Sequence, residues 1–463
     1  MEKDKRTELY KDYPEIIEGN VKMDKANSKI NIYSGVYTLK DDKNELKING
    51  EIFFSWFPNS GTYFSGIPTE KGIDTFDILN RINSFKIVIN NLELGDGFIT
   101  NSTIQSFSGA SKIQGILSQQ AVFGDKSVSV EAINFCVPNL RSFHGTIVKK
   151  ITKGKRYTGK NRLKLENEKY LISIDKAKNY NDLKSELKEN GGYLILYNGL
   201  LKSKKGAISF EDSKDIFHCL SSFLTFLNGR RVSALFATGT FEGKNIWCDY
   251  TDYHVDIYKH CTSWPQSHSI IGSEAIWIKF NDLWKDKENR NFLTSVIHWY
   301  VEANNNSGFS EGAIIMAQTA LELLYNWWII ENKKIIIGKD SENINASNKI
   351  RLLLSQLGIQ CSVPAGFKYL QEFLDSEIQI VDACDAVVQI RNAIVHSQEE
   401  KRKKLSSIHY RAKYEALELC IWYIEMALLG ILGYNDKYYN RTSNEFVKSE
   451  ANELVPWSSK KNQ

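Results

Sequence analysis

From about residue 28 to 210, apolar residues fall in short runs rich in β-branched and aromatic side chains, separated by turn-forming residues. INIYSGVYTL, FKIVI, GFITN, KSVSVEAINF, GTIVKKI, YLISI and GYLILY are examples. ELKI and EIFFSWF flank Asn49-Gly50, a pair that signals a turn. The pattern predicts a sheet-based domain, a sandwich or a barrel-like arrangement. Between 213 and 228 the period changes. Ile216, Leu220, Phe223 and Leu227 recur at helical spacing, and Gly229 stands where a helix would stop.

From about 288 onward the helical period dominates. Candidate helices are ENRNFLTSVIHWYVEAN, SEGAIIMAQTALELLYNWWIIENK with Ser310 as N-cap, NKIRLLLSQLG, SEIQIVDACDAVVQIRNAIVH, and KKLSSIHYRAKYEALELCIWYIEMALLGILG. The expected fold class is therefore α+β. A β-rich N-terminal domain over 1–285, with one helix near 213–228, precedes an all-α bundle over 286–445 and a polar tail over 446–463.

At 463 residues the chain exceeds one hydrophobic core. A formal charge of +4 is too small to imply a nucleic-acid partner, so any electrostatic footprint must be local. Seven scattered cysteines lack CxxC or zinc spacing and read as reduced core thiols, and the charged N-terminus lacks the apolar core of a signal peptide. A cytoplasmic protein without a membrane anchor is expected. The most apolar stretch, 416–434, carries Glu418 and Glu425 and reads as a buried helix rather than a membrane span.

Chemistry concentrates at one place. In the helix ending at His396, Ile380, Cys384, Val387 and Ile394 form an apolar stripe whose spacing also includes Arg391. A guanidinium there needs a buried partner, for which Glu322 is the candidate, or a cleft to line. His396 follows at about 140° around an ideal helix, so it stacks on Asn392 rather than on Arg391. Asn392 at i and His396 at i+4 are close enough for the amide to orient the imidazole. A lone histidine at a helix end also serves as a dipole partner. Lys153, Lys155, Arg156, Lys160 and Arg162 lie in an acid-free run, 149–164, that suits either an RNA backbone or a solvated hairpin face. His254, His260, Cys261 and His268 fit no usual zinc spacing, and no metal or cofactor is expected. Phosphate-binding, dinucleotide and serine-hydrolase motifs are absent from the sequence.

The helical half resembles the HEPN superfamily, and within it the ApeA-like proteins of bacterial anti-phage defence. The resemblance is carried by ALELLY at 320–325, KIRLLLSQLGI at 349–359, RNAIVHS at 391–397, LGYNDKYYNR at 432–441 and VPW at 455–457. FFSWFP at 53–58, VFGD at 122–125 and VPNLRSFHG at 137–145 resemble the β-rich domain preceding HEPN in such proteins. The resemblance implies a metal-independent endoribonuclease in which two chains pair as a homodimer. Arg391, Asn392 and His396 of each copy would then face one cleft. It further implies an RNA substrate, with tRNA a candidate, and a phage-derived trigger. The alternative is a HEPN dimerisation or ligand-binding module without cleavage, with Arg391 structural.

Overall fold

The computed structural model describes residues 12–458 apart from 43, 71–83, 105–110, 119, 153–154, 266–272, 306–308, 397 and 444–450; the side chains of 104, 111, 151–152 and 155–156 are also not described. The chain divides into two compact units. One comprises 1–141, 145–221 and 232–259; the other comprises 142–144, 222–231 and 260–463.

In the first unit, β1 (Ile30–Lys40), β2 (Glu45–Ser55), β3 (Gly61–Pro68), β4 (Phe85–Ile89), β5 (Leu92–Ile104) and β6 (Ser111–Leu117) close a barrel in the order β1-β2-β3-β6-β5-β4. Its interior is filled by Tyr37, Leu39, Ile48, Ile52, Phe64, Ile87 and Ile113. Asn49-Gly50 is not a turn. β2 runs straight through it, because Gly50 keeps the inward phase of Leu46, Ile48, Ile52 and Phe54. Gly50 pairs with Gly35 on one side and Gly66 on the other, and a Cβ at 50 would lie 2.0 Å from the Ser65 carbonyl oxygen. The glycine is there for close strand approach.

An eight-stranded sheet completes this unit in the order β7 (Val122–Gly124), β14 (Lys244–Asp249), β13 (Leu235–Phe241), β8 (Ala132–Pro138), β12 (Ile195–Ser203), β11 (Tyr170–Lys176), β10 (Lys155–Glu166) and β9 (Thr146–Thr152). Helix α1 (Tyr180–Asn190) connects β11 to β12, and α2 (Phe210–Asn228) begins by packing Phe210 on Trp247 and Phe217 on Phe135. The α+β class is as the sequence pattern indicates: barrel and sheet first, helices after.

The helical unit contains α3 (Ser273–Trp284), α4 (Lys287–Asn304), α5 (Phe309–Tyr325) continued by a π-helical segment (Asn326–Asn332), α6 (Ala346–Ser355), α7 (Lys368–Asp375), α8 (Ala383–Val395), α9 (Glu399–Ser407) and α10 (Tyr410–Ile431). The structural division falls earlier than residue 285. Trp264 packs on Phe226 and Tyr434, and Trp277 packs on Phe223, so these aromatic residues join the helical core. Ser310 is the second residue of α5. The segment expected as a single helix from 403 to 433 breaks at Ile408–His409, and 376–381 precedes α8 rather than forming its first turns. The tail is also structured in part. β15 (Lys437–Tyr439) pairs with β16 (Asn452–Leu454), Val455 is buried, and the Trp457 indole donates to the Tyr434 carbonyl.

Two acids inside the apolar helix α10 are explained by Arg441. Its guanidinium reaches Glu425 at 2.7 Å and Glu418 at 3.1 Å, with the Arg441 and Glu425 side chains 1% and 0% exposed. Among the described residues one helix, Phe309–Asn332, is long and apolar enough to cross a membrane, and most of its apolar window is buried inside the unit.

Candidate functional site at the C-terminal end of helix α8

Helix α8 begins at a strong cap. The Asp382 carboxylate accepts from the Asp385 amide at 2.9 Å and is gripped by Arg351 of α6 through Nε at 2.6 Å and Nη2 at 2.8 Å. Ala383, Cys384, Ala386, Val387, Val388, Ile390 and Ala393 form its buried face. That face leaves Arg391 and Asn392 half-buried at its margin and Val395 and His396 exposed. Arg391 therefore does not sit on the buried stripe, and Ile380 precedes the helix. The stripe extrapolated from 380 fails because the helix starts only at 383.

The Arg391 guanidinium donates to the Asn392 amide oxygen at 3.2 Å. His396 is the residue after the helix, with extended backbone, and its amide closes the last turn on the Asn392 carbonyl at 3.1 Å. Asn392 thus holds His396 through the backbone, and its side chain serves Arg391 instead of the imidazole. Among the described residues the imidazole has no hydrogen bond or ion pair, so it is presented to solvent.

Glu322 does not support Arg391. It accepts from Lys349 at 2.6 Å, and it lies far along α5. Lys349 and Arg351 share α6, so Glu322 lies near the start of α8, while Gln318 donates to the Val387 carbonyl at 2.7 Å. The start of α5 is joined to the start of α10 by the Lys413–Glu311 pair at 2.7 Å.

At the start of α10 lies a group that sequence reasoning did not single out. The rings of Tyr369 and His409 stack at 4.4 Å with 8° between planes, and Tyr410 follows His409 at 4.7 Å. Arg411 lies over both tyrosines, donating to the Tyr369 hydroxyl at 3.0 Å and the Tyr410 hydroxyl at 3.2 Å. His409, Tyr410 and Arg411 are exposed. Glu415 turns away, accepting from the Leu370 amide at the start of α7, and burial raises its carboxyl above the usual range. The only signal in the sequence was the dense SIHYRAKY segment at a helix start.

The basic run falls on a hairpin, with Arg162 set apart from the rest. β9 and β10 form a hairpin at the sheet edge, with Tyr157 paired to Lys150. Lys160 is exposed. Lys153 lies outside the described residues, as do the side chains of Lys155 and Arg156. Arg162 is a structural residue: it binds the fully buried Asp175 through Nε at 2.8 Å and Nη2 at 2.7 Å, and reaches the Glu15 carbonyl. An arginine that neutralises a buried carboxylate is not available to a phosphate. Of the histidine and cysteine cluster, His254 contacts Asp256, Cys261 donates to the Gly229 carbonyl, and His268 is not described.

Comparison with known proteins gives a consistent but functionally silent picture. A family model described as the YopA C-terminal domain matches residues 286–452, and one described as the YopA central domain matches 125–261. The chain is similar to the SPbeta prophage-derived uncharacterized protein YopA of Bacillus subtilis (strain 168), with 27% identity over 442 residues, covering 94% of this chain and 97% of that protein. No solved structure matches.

Proposed function

We propose that this protein is a metal-independent endoribonuclease of the HEPN type, acting as a homodimer in the cytoplasm as an effector of anti-phage defence. The observation that carries the reading is the end of α8, where an exposed histidine directly follows a helix whose last turns present an arginine and an asparagine in contact. RNA brings its own nucleophile. In-line attack of a 2′-hydroxyl on the adjacent phosphorus needs a proton acceptor, a proton donor for the 5′-oxygen, and stabilisation of charge on the phosphoryl oxygens. His396 serves proton transfer, Arg391 binds the phosphate, and Asn392 holds the guanidinium in place. Because Arg391 and His396 diverge around the helix end, a second copy is required to bring cation and imidazole from both chains to one phosphate.

The stacked group Tyr369, His409, Tyr410 and Arg411 supports an RNA substrate, since exposed rings bracketed by a guanidinium suit unpaired bases. The prophage origin in the name of the Bacillus relative agrees with a role in phage–host conflict. The test is incubation of the purified chain with total RNA in EDTA, beside His396→Ala. Cleavage by the parent and none by the variant is expected. Cleavage that requires magnesium would overturn the proposal, and an intact dimer without any cleavage would favour a binding module.

A further inference from the structure

A second cluster, at the opposite end of α8, has chemistry of its own. The Sγ atoms of Cys361 and Cys384 and a carboxylate oxygen of Asp382 all lie within 4.8 Å of one another. We propose that Cys361, Asp382 and Cys384 form a binding site for a thiophilic divalent cation, zinc by the nature of its donors, that fastens the 359–361 segment to the start of α8.

The donor set comes first. Two thiolates and a carboxylate suit zinc, whereas magnesium and calcium favour all-oxygen cages. Ligand atoms about 2.0–2.3 Å from a tetrahedral ion lie about 3.5 Å apart, so the cluster needs to close by no more than about 1 Å. Asp382 retains the capacity to bind. Its Oδ1 accepts from Arg351 and from the Asp385 amide, but its Oδ2 accepts only from Arg351 Nε, leaving one lone pair. Arg351, itself shared with Asp385 at 2.8 Å, fixes the carboxylate from behind as outer partners of metal ligands do. The backbone is already braced, since the Ala383 amide donates to the Cys361 carbonyl at 2.9 Å.

The two thiols lie within hydrogen-bonding reach of each other.

The test measures metal, not activity. The full chain is purified without chelator, gel-filtered, and its zinc counted by mass spectrometry. About one zinc per chain is expected, with Cys361→Ser and Cys384→Ser each falling below about a tenth of that and Cys420→Ser unchanged. Cobalt substitution should give thiolate charge-transfer absorption in the parent and lose it in Cys361→Ser. Circular dichroism confirms that each variant is folded. A folded parent without zinc and without a cobalt spectrum overturns the proposal. So does retention of zinc by both serine variants, or metal-free protein carrying a Cys361–Cys384 disulfide.

Discussion

The buried Arg441 network permits a sharp test of how the helical unit is held together. Glu425→Gln keeps shape and keeps an acceptor for the Tyr300 hydroxyl, 2.8 Å away, but removes the charge opposite Arg441. Breaking a buried pair by neutralising one partner costs about 3–5 kcal/mol, because the remaining ion stays desolvated. Here Glu418 still lies 3.1 Å from Nη1, and Asn304 Oδ1 and the Thr262 carbonyl accept from Nη2 at 3.1 and 3.3 Å, so the lower end applies. A loss of about 3 kcal/mol, with a urea slope of about 2–3 kcal/mol/M, moves the midpoint of the helical transition down by about 1 M. Urea unfolding followed by far-ultraviolet circular dichroism reads this directly. The joint change Glu425→Leu with Arg441→Met removes both ions and should cost far less than the two single changes added together. A Glu425→Gln loss below about 1 kcal/mol, or an additive double variant, would refute the reasoning.

Three other outcomes follow from named contacts. Arg162→Ala should destabilise the β-rich unit by about 3 kcal/mol, since it strands the fully buried Asp175, and should leave RNA affinity unchanged when binding is measured on the folded fraction. Gly50→Ala should cost about 1–3 kcal/mol in urea unfolding through its clash with the Ser65 carbonyl. Burial, reinforced by Lys184, lowers the Lys176 ammonium to about 8. Between about 8 and the ordinary lysine value the unfolded chain binds a proton at this position that the folded chain does not, so the contribution of Lys176 to stability rises with pH across that window. Lys176→Met should remove that contribution, so that urea midpoints of the variant rise less, or fall more, with pH than those of the parent over the same range.

Much of the architecture was readable because period-two and period-3.6 patterns reflect which face of each element is buried. The failures are instructive. Asn49-Gly50 looked like a turn locally, yet Leu46, Ile48, Ile52 and Phe54 already kept strict alternation across it, which only a continuous strand explains. At 408–409 the helical period runs on while the backbone breaks, with the His409 ring accepting from the Arg411 amide at 3.2 Å to start α10. Arg391 and His396 stand out as residues, but their setting depends on where α8 begins, and that is decided by the Asp382 cap and its tertiary partner Arg351. Cys361 and Cys384 meet only through packing of segments with no shared motif, as do Glu418, Glu425 and Arg441. Pairings of this kind lie beyond local pattern.

In the proposed reaction the 2′-hydroxyl is the nucleophile and His396 the proton carrier. The most direct measurement identifies the ends of a cleaved oligonucleotide by mass spectrometry, once as RNA and once with a single 2′-deoxy substitution at the mapped cleavage position, with the parent chain and His396→Ala in parallel. The parent should leave a 2′,3′-cyclic phosphate and a 5′-hydroxyl, with no cut at the deoxy position and no cut by the variant. Cleavage at the deoxy position, or 5′-phosphate ends, would contradict it.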